Sequence, residues 1–211
     1  MLEQAVTDAR PGRNLWIWLF NPFHYIAGGA ALAAGLVVIV AAGLLGSLSH
    51  SHFDGVLDFH TGMPAPLWLH LVEGPIDWLA LCVPLWVGGV LISKSKARLL
   101  DLFGTQALAR FPYLILAAVA LLPGYRNYTS FIAAQFAGKE AVVEPAKGDV
   151  VVFGLVILVM LLMAIWMVVL MYRSFAISYN VRGGQAIAVF IGAVLVGEVV
   201  SKLALFALIS G

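Results

Sequence analysis

Half of this chain's Asp, Glu and His residues fall in one stretch, His50 to Asp77, which reads HSHFDGVLDFHTGMPAPLWLHLVEGPID and contains no Lys or Arg. Its first part holds His50, His52, Asp54, Asp58 and His60. All five are ligands for first-row metals, and a loop of the form HxHxD followed by DxH could close around a divalent ion such as zinc. The spacing is permissive rather than diagnostic, because HxHxD here lacks the closing His of the metallo-hydrolase loop and has Gly55 in that place. The plainer expectation is an exposed polar loop whose imidazoles hydrogen-bond to backbone or lipid headgroups.

His70, Glu73 and Asp77 make a stronger demand. Their spacings of three and four put them on one helical face, and the surrounding run is apolar. Ionisable groups at that depth are costly and turn toward a bundle interior or a water-filled cavity. Glu198 and Lys202, four apart near the end of the chain, offer partners. At about 1.5 Å per residue, Glu73 and Lys202 both fall about 10 Å below the outer surface, and Asp77 and Glu198 about 15 Å. The matched depths predict a Glu73 to Lys202 ion pair, with Asp77 and Glu198 close enough to share a proton. The alternative is that Glu198 and Lys202 satisfy each other. Arg126 joins this intramembrane polar cluster on the expectation that it interrupts a span. Gly74 and Pro75 lie between the two acids, where a bend would free backbone carbonyls.

The elements that must position these groups follow from composition. The 211 residues are 62% hydrophobic and 11% charged, with a mean hydropathy of +0.99. A soluble surface needs about a quarter of its residues charged, so the chain reads as an integral membrane protein. Apolar runs at 25–48, 67–92, 111–136, 150–172 and 185–209 can each cover a bilayer core, which takes about 20 helical residues. Runs such as GLVILVMLLMAIWMVVLMY do not alternate, which excludes a barrel. The predicted fold is therefore all-α: a short cytoplasmic N-terminal segment, 1–20, followed by five transmembrane helices in one bundle. The first run is too long for a signal peptide and is expected to be retained. A net charge of +1 excludes a nucleic-acid face. The single Cys82 excludes an intrachain disulfide and reads as a packing residue.

Arg10 and Arg13 precede the first run, Lys94, Lys96, Arg98 and Arg110 lie between the second and third, and Arg173 and Arg182 between the fourth and fifth. The opposite loops hold Arg126, Lys139 and Lys147. The positive-inside bias then gives a cytoplasmic N-terminus and an outside C-terminus, with a bacterial inner membrane as the expected location. In SKSKARLLDLFGTQALARF, Leu99, Phe103, Ala107 and Phe111 recur every four residues while Asp101, Gln106 and Arg110 turn away. That pattern predicts a short interfacial helix near 97–110, with Pro112 in the first turn of the next span. Pro123 and Gly124 interrupt the third run, which fits either a kinked span, the preferred reading, or a span followed by a separate outer interfacial segment. Residues 137–149 read as a solvated connector, with Asp149 capping the fourth helix. His24, amid Trp16, Trp18, Phe20 and Tyr25, belongs to an interfacial aromatic belt.

The stretches WLFNPFHYIAG, KARLLDLFGTQALARFPYLILAAVALLPG and IWMVVLMYRSFAISYNVRGGQAIAVFIGAVLV, in that order, resemble the Yip family of five-span membrane proteins, especially its bacterial members. The likeness runs from about Asn21 to the end. It implies a five-helix bundle with a cytoplasmic N-terminus, and it brings no catalytic residues. The family's eukaryotic members are associated with Rab GTPases and vesicle traffic. Their long N-terminal region, with its acidic and aromatic motif, has no counterpart here, which argues against a GTPase partner.

Three functions compete. The first is a non-enzymatic protein of the Yip type in membrane organisation or lipid and trafficking-like processes. The second is a small transporter or ion-conducting protein, working as a homo-oligomer, with a relay through Glu73, Asp77, Glu198 and Lys202. The third is a metal-dependent membrane enzyme built on the outer His/Asp cluster and His70, with water activated by the ion. The expected partner common to all is the lipid bilayer.

Overall fold

The computed structural model describes residues 15–62, 64–94, 98–138 and 144–210. A backbone inside a bilayer must satisfy its own polar groups, so long apolar runs form helices. The helices are α1 (Leu15–Phe20), α2 (Gly28–Ser49), α3 (Leu67–Ile92), α4 (Leu99–Leu108), α5 (Phe111–Val119), α6 (Pro123–Phe136), α7 (Lys147–Tyr179) and α8 (Gly183–Ser210), with a 3-10 turn at Pro22–His24. Two short strands, β1 (Ser51–His52) and β2 (His60–Thr61), pair antiparallel in the register Ser51 to Thr61 and His52 to His60. The fold is all-α. Among the described residues, five helical stretches are long and apolar enough to cross a membrane: α2, α3, α4 with α5, α7, and α8.

The third of these stretches, Leu99–Val119, differs from the expected 111–136. The segment expected to lie on the membrane surface is instead packed in the bundle, where Leu102, Gly104, Thr105, Gln106 and Ala107 are buried. Its amphipathy is inverted. Gln106 and Arg110 face the protein interior, while Leu99 and Phe111 at the two ends of the apolar stripe are exposed and its Ala107 is buried against α2. An apolar surface is what a bilayer requires, so the polar stripe marks the inside rather than water. Pro123 is not a kink within a span: it opens α6, a 14-residue helix too short to cross, of which only Gly124 and Tyr125 are buried. Tyr125 and Tyr128 hold α6 against Phe153 near the start of α7. α3 stays one helix through Pro75 and Pro84.

α2 and the α4–α5 pair run in the same direction, because Gly28 meets Gly104 and Asp101 while Gly35 meets Ala107. The approach at Gly35 is close enough that a Cβ would stand 2.5 Å from Ala107, the kind of contact that small residues permit between membrane helices. α3 returns antiparallel, with His70 beside Gly43 and Ile39 beside Gly74. α8 lies along α3, placing Val189 on Gly88 and Gly197 beside Ala80 and Leu81. The second and fifth runs are thus neighbours, as the matched depths require. α7 closes the bundle through Met167, Met171, Phe175 and Tyr179, all in the core with Leu81, Leu85 and Leu102. Lys94 and Arg182 meet at one end of the bundle, and the His-rich hairpin sits at the other. Arg10, Arg13, Lys96 and Lys139 lie outside the described residues.

Candidate functional site

The loop after α2 is not the exposed polar connector that its composition implies. His50 takes a left-handed conformation at the end of α2 (φ 55°), and the chain then turns into the bundle. Ser51, Phe53 and Val56 are buried to 3% exposure or less. Tyr113 of α5 donates its hydroxyl hydrogen to the Val56 carbonyl at 2.9 Å, with the Gly55 carbonyl at 3.3 Å. The Leu57 amide donates to Glu198 of α8 at 3.1 Å. Residues 50–62 therefore form a plug whose tip reaches the level of Gly197, near the middle of α8. Phe53, wedged against Phe59 and Tyr113, supplies the apolar side of that insertion.

The plug divides the expected metal ligands. His52 points inward and meets two α3 residues: its Nδ1 lies 2.7 Å from Glu73 Oε1, and its ring stacks on His70 with centroids 4.5 Å apart. Glu73 also accepts the Phe53 amide at 3.0 Å through Oε2, and His70 Nδ1 stands 3.9 Å from the same oxygen. Asp54, Asp58 and His60 gather separately on the other side of the hairpin. His60 Nδ1 lies 3.3 Å from Asp54, and that polar contact raises the imidazole above its ordinary value and lowers the carboxyl below its own. His50 belongs to neither group. It borders a cavity of about 670 Å³ beneath α6, with Ser49, Thr61, Gly62 and Arg126.

The expected Glu73 to Lys202 pair does not form, although α3 and α8 are neighbours. Lys202 reaches across to Asp58 at 2.5 Å and to Glu198, one turn away on its own helix, at 3.5 Å. The depth estimate treated the loop as lying above the bundle, whereas the plug brings Asp58 down to Lys202 and His52 down to Glu73. Asp77 does not pair with Glu198 through a hydrogen bond. It accepts from Ser201, and its other oxygen has no partner among the described residues. Arg126 is exposed on α6 and takes no part in the buried cluster.

The residue that sequence reasoning misplaced most is Arg110. Assigned to a cytoplasmic loop, it sits at the α4–α5 junction with 1% exposure, and its three guanidinium nitrogens make no hydrogen bond among the described residues. Its charge acts on Asp77 without a direct bond, and its guanidinium lies 5.9 Å from the Tyr113 ring centroid. A cavity of about 10 Å³ lies between Arg110, His70, Tyr113 and Phe53, about the room that one water needs. One turn below, Gln106 donates to the Met171 carbonyl at 2.8 Å. Thr105 meets Ser174 at 2.6 Å and Ser178 at 3.4 Å. The signal was present in the four-residue spacing of Gln106 and Arg110 opposite an apolar stripe.

These groups form one buried polar file along the bundle axis: His52, Glu73 and His70 at the hairpin end, Arg110 and Asp77 at mid-depth, then Gln106, Thr105, Ser174 and Ser178. Fold and site define an all-α membrane protein whose core is ionisable rather than wholly apolar. No family model, curated protein or solved structure matches the chain.

Proposed function

We propose that this protein is a small transporter that moves protons along its buried polar file. One observation carries the reading: Arg110 and Asp77 are both buried at mid-depth, and among the described residues the Arg110 guanidinium and one Asp77 oxygen have no hydrogen-bond partner. Buried charges of this kind cost several kcal/mol in a membrane, and chains of Asp, Glu and His mark proton paths through pumps and transporters. Arg110 repels a bare cation, so Asp77 is the relay's exchanging group and Arg110 its counter-charge. The end holding Lys94 and Arg182 faces the cytoplasm of a bacterial inner membrane in this reading.

The test is proton flux into liposomes, followed with an entrapped pH-sensitive dye under an imposed potential. Wild type should exceed protein-free vesicles, and Asp77→Asn, of similar shape and folded by gel filtration, should abolish the excess. Equal flux in wild type and variant, or no flux above the lipid background in wild type, overturns the proposal. The Yip-type role in membrane organisation is the second reading, supported by the succession of five apolar spans that the resemblance implies. In that case the polar file serves only to fix the packing of α3, α4 and α8.

A further inference from the structure

We propose that His52, His70 and Glu73 form a binding site for one divalent first-row metal ion, zinc being the best match, at the hairpin end of the bundle. Ligand atoms from all three residues lie within 4.8 Å of one another. Two imidazoles and one carboxylate are a ligand set that zinc takes readily, leaving a fourth position for water or a substrate group. With bonds of about 2.0–2.1 Å, tetrahedral ligand atoms stand about 3.3 Å apart. His52 Nδ1 and Glu73 Oε1 stand 2.7 Å apart, a little inside that value, and His70 Nδ1 lies 3.9 Å from the other oxygen of the same carboxylate.

A second observation, independent of the clustering, points to a ligand. His70 is 1% exposed, and neither of its ring nitrogens completes a hydrogen bond of ordinary geometry, although the Ser51 backbone lies beside the ring. A buried imidazole left in that state is costly unless something binds it. The surroundings resemble the outer shell of a metal site. The Phe53 amide holds Glu73 Oε2, which fixes the carboxylate and leaves Oε1 to coordinate. Gly62 gives the far edge of the His52 ring its room, since a Cβ there would stand 3.0 Å from His52 Cδ2.

The alternative group, Asp54, Asp58 and His60, is partly exposed and holds no buried imidazole such as His70, whereas all three residues of the inner trio are buried. The inner trio is therefore the site, and it crosses from plug to α3. Bound metal would tie the hairpin to the bundle, whether or not the bundle conducts protons.

The full chain, purified in detergent without chelator, is titrated with zinc against a chromophoric competitor and with cobalt(II) read by its visible absorption. We expect one ion per chain and a tetrahedral cobalt spectrum. His70→Ala and, because His70 is a core residue, His52→Ala on the hairpin should each weaken zinc binding more than about a hundredfold, exceeding the 10–100-fold usual for outer-shell partners. Asp58→Asn should leave affinity unchanged. No stoichiometric uptake by wild type overturns the proposal, as does uptake that survives His52→Ala but is lost in Asp58→Asn. These are equilibrium binding measurements, so a failure of proton flux leaves them untouched.

Discussion

Replacing Tyr113 by Phe probes the plug with the least disturbance. The ring stays in contact with Phe53 and Arg110, and only the hydroxyl that holds the Val56 and Gly55 carbonyls is lost. Val56 is fully buried, so bulk water reaches its carbonyl only when the loop opens. A buried acceptor left unpaired costs about 1–3 kcal/mol, which corresponds to about a 5- to 150-fold rise in the open population of the plug. The reporters are the Phe53 and Leu57 amides, bonded to Glu73 and Glu198. Their hydrogen exchange, measured by mass spectrometry on protein in nanodiscs, should quicken by that factor while peptides from α7 and α8 stay unchanged. Exchange at 53–58 within about twofold of wild type would refute the inserted-plug reasoning. An equal quickening across all helices would also refute it, because the bond would then support the whole bundle.

Gly35→Val should separate α2 from α4. With a Cβ already at 2.5 Å from Ala107, the overpacking should cost about 1–3 kcal/mol or more, seen as a lower thermal midpoint in detergent, and an unchanged midpoint would contradict the packing described. The contact between His60 and Asp54 should make hairpin stability depend on pH. The raised imidazole contributes fully below its ordinary value of 6.5 and loses its contribution as pH rises through the shifted value. The lowered carboxyl contributes above 3.8 and loses its contribution as pH falls through its own. Asp54→Asn should therefore loosen the hairpin by no more than about 1 kcal/mol near pH 5, the pair being partly exposed, and by almost nothing near pH 9. Exchange at Gly62, whose amide bonds the His50 carbonyl, measures the difference, and equal loosening at both values would refute the pair.

Four of the five crossing helices were legible because apolar length alone marks them, whereas the depths of the charged residues on α3 and α8 matched only on the assumption that those helices are neighbours. The third crossing was hidden. Asp101, Gln106 and Arg110 gave Leu99–Leu108 the stripe of a surface helix, and periodicity does not say whether the polar side faces water or a protein interior. The hairpin was hidden for a related reason. Alternating His, Ser and Asp residues read as solvated, while the burial of Phe53 and Val56 depends on Tyr113, 57 residues further along the chain in the case of Val56. Of the candidate residues, His52, His70 and Glu73 were all singled out, but the cut between two clusters fell in the wrong place. His52 was grouped with its sequence neighbours, whereas the strand turn carries it to α3. Arg110 was beyond reach by charge counting, which treats every Arg outside a long apolar run as a loop residue.

The inverted stripe of α4 and α5 bears on how the protein is made. An Arg at the centre of an isolated helix costs about 2.5–3.5 kcal/mol on insertion, so residues 99–119 gain little by entering lipid alone during synthesis. The segment finds its place once α2 and α3 are already in the bilayer to receive Gln106 and Arg110. Only when α7 follows can its Ser174 and Met171 close over it. The topology of the third crossing is thus expected to depend on α7, which lies later in the chain and supplies its polar partners.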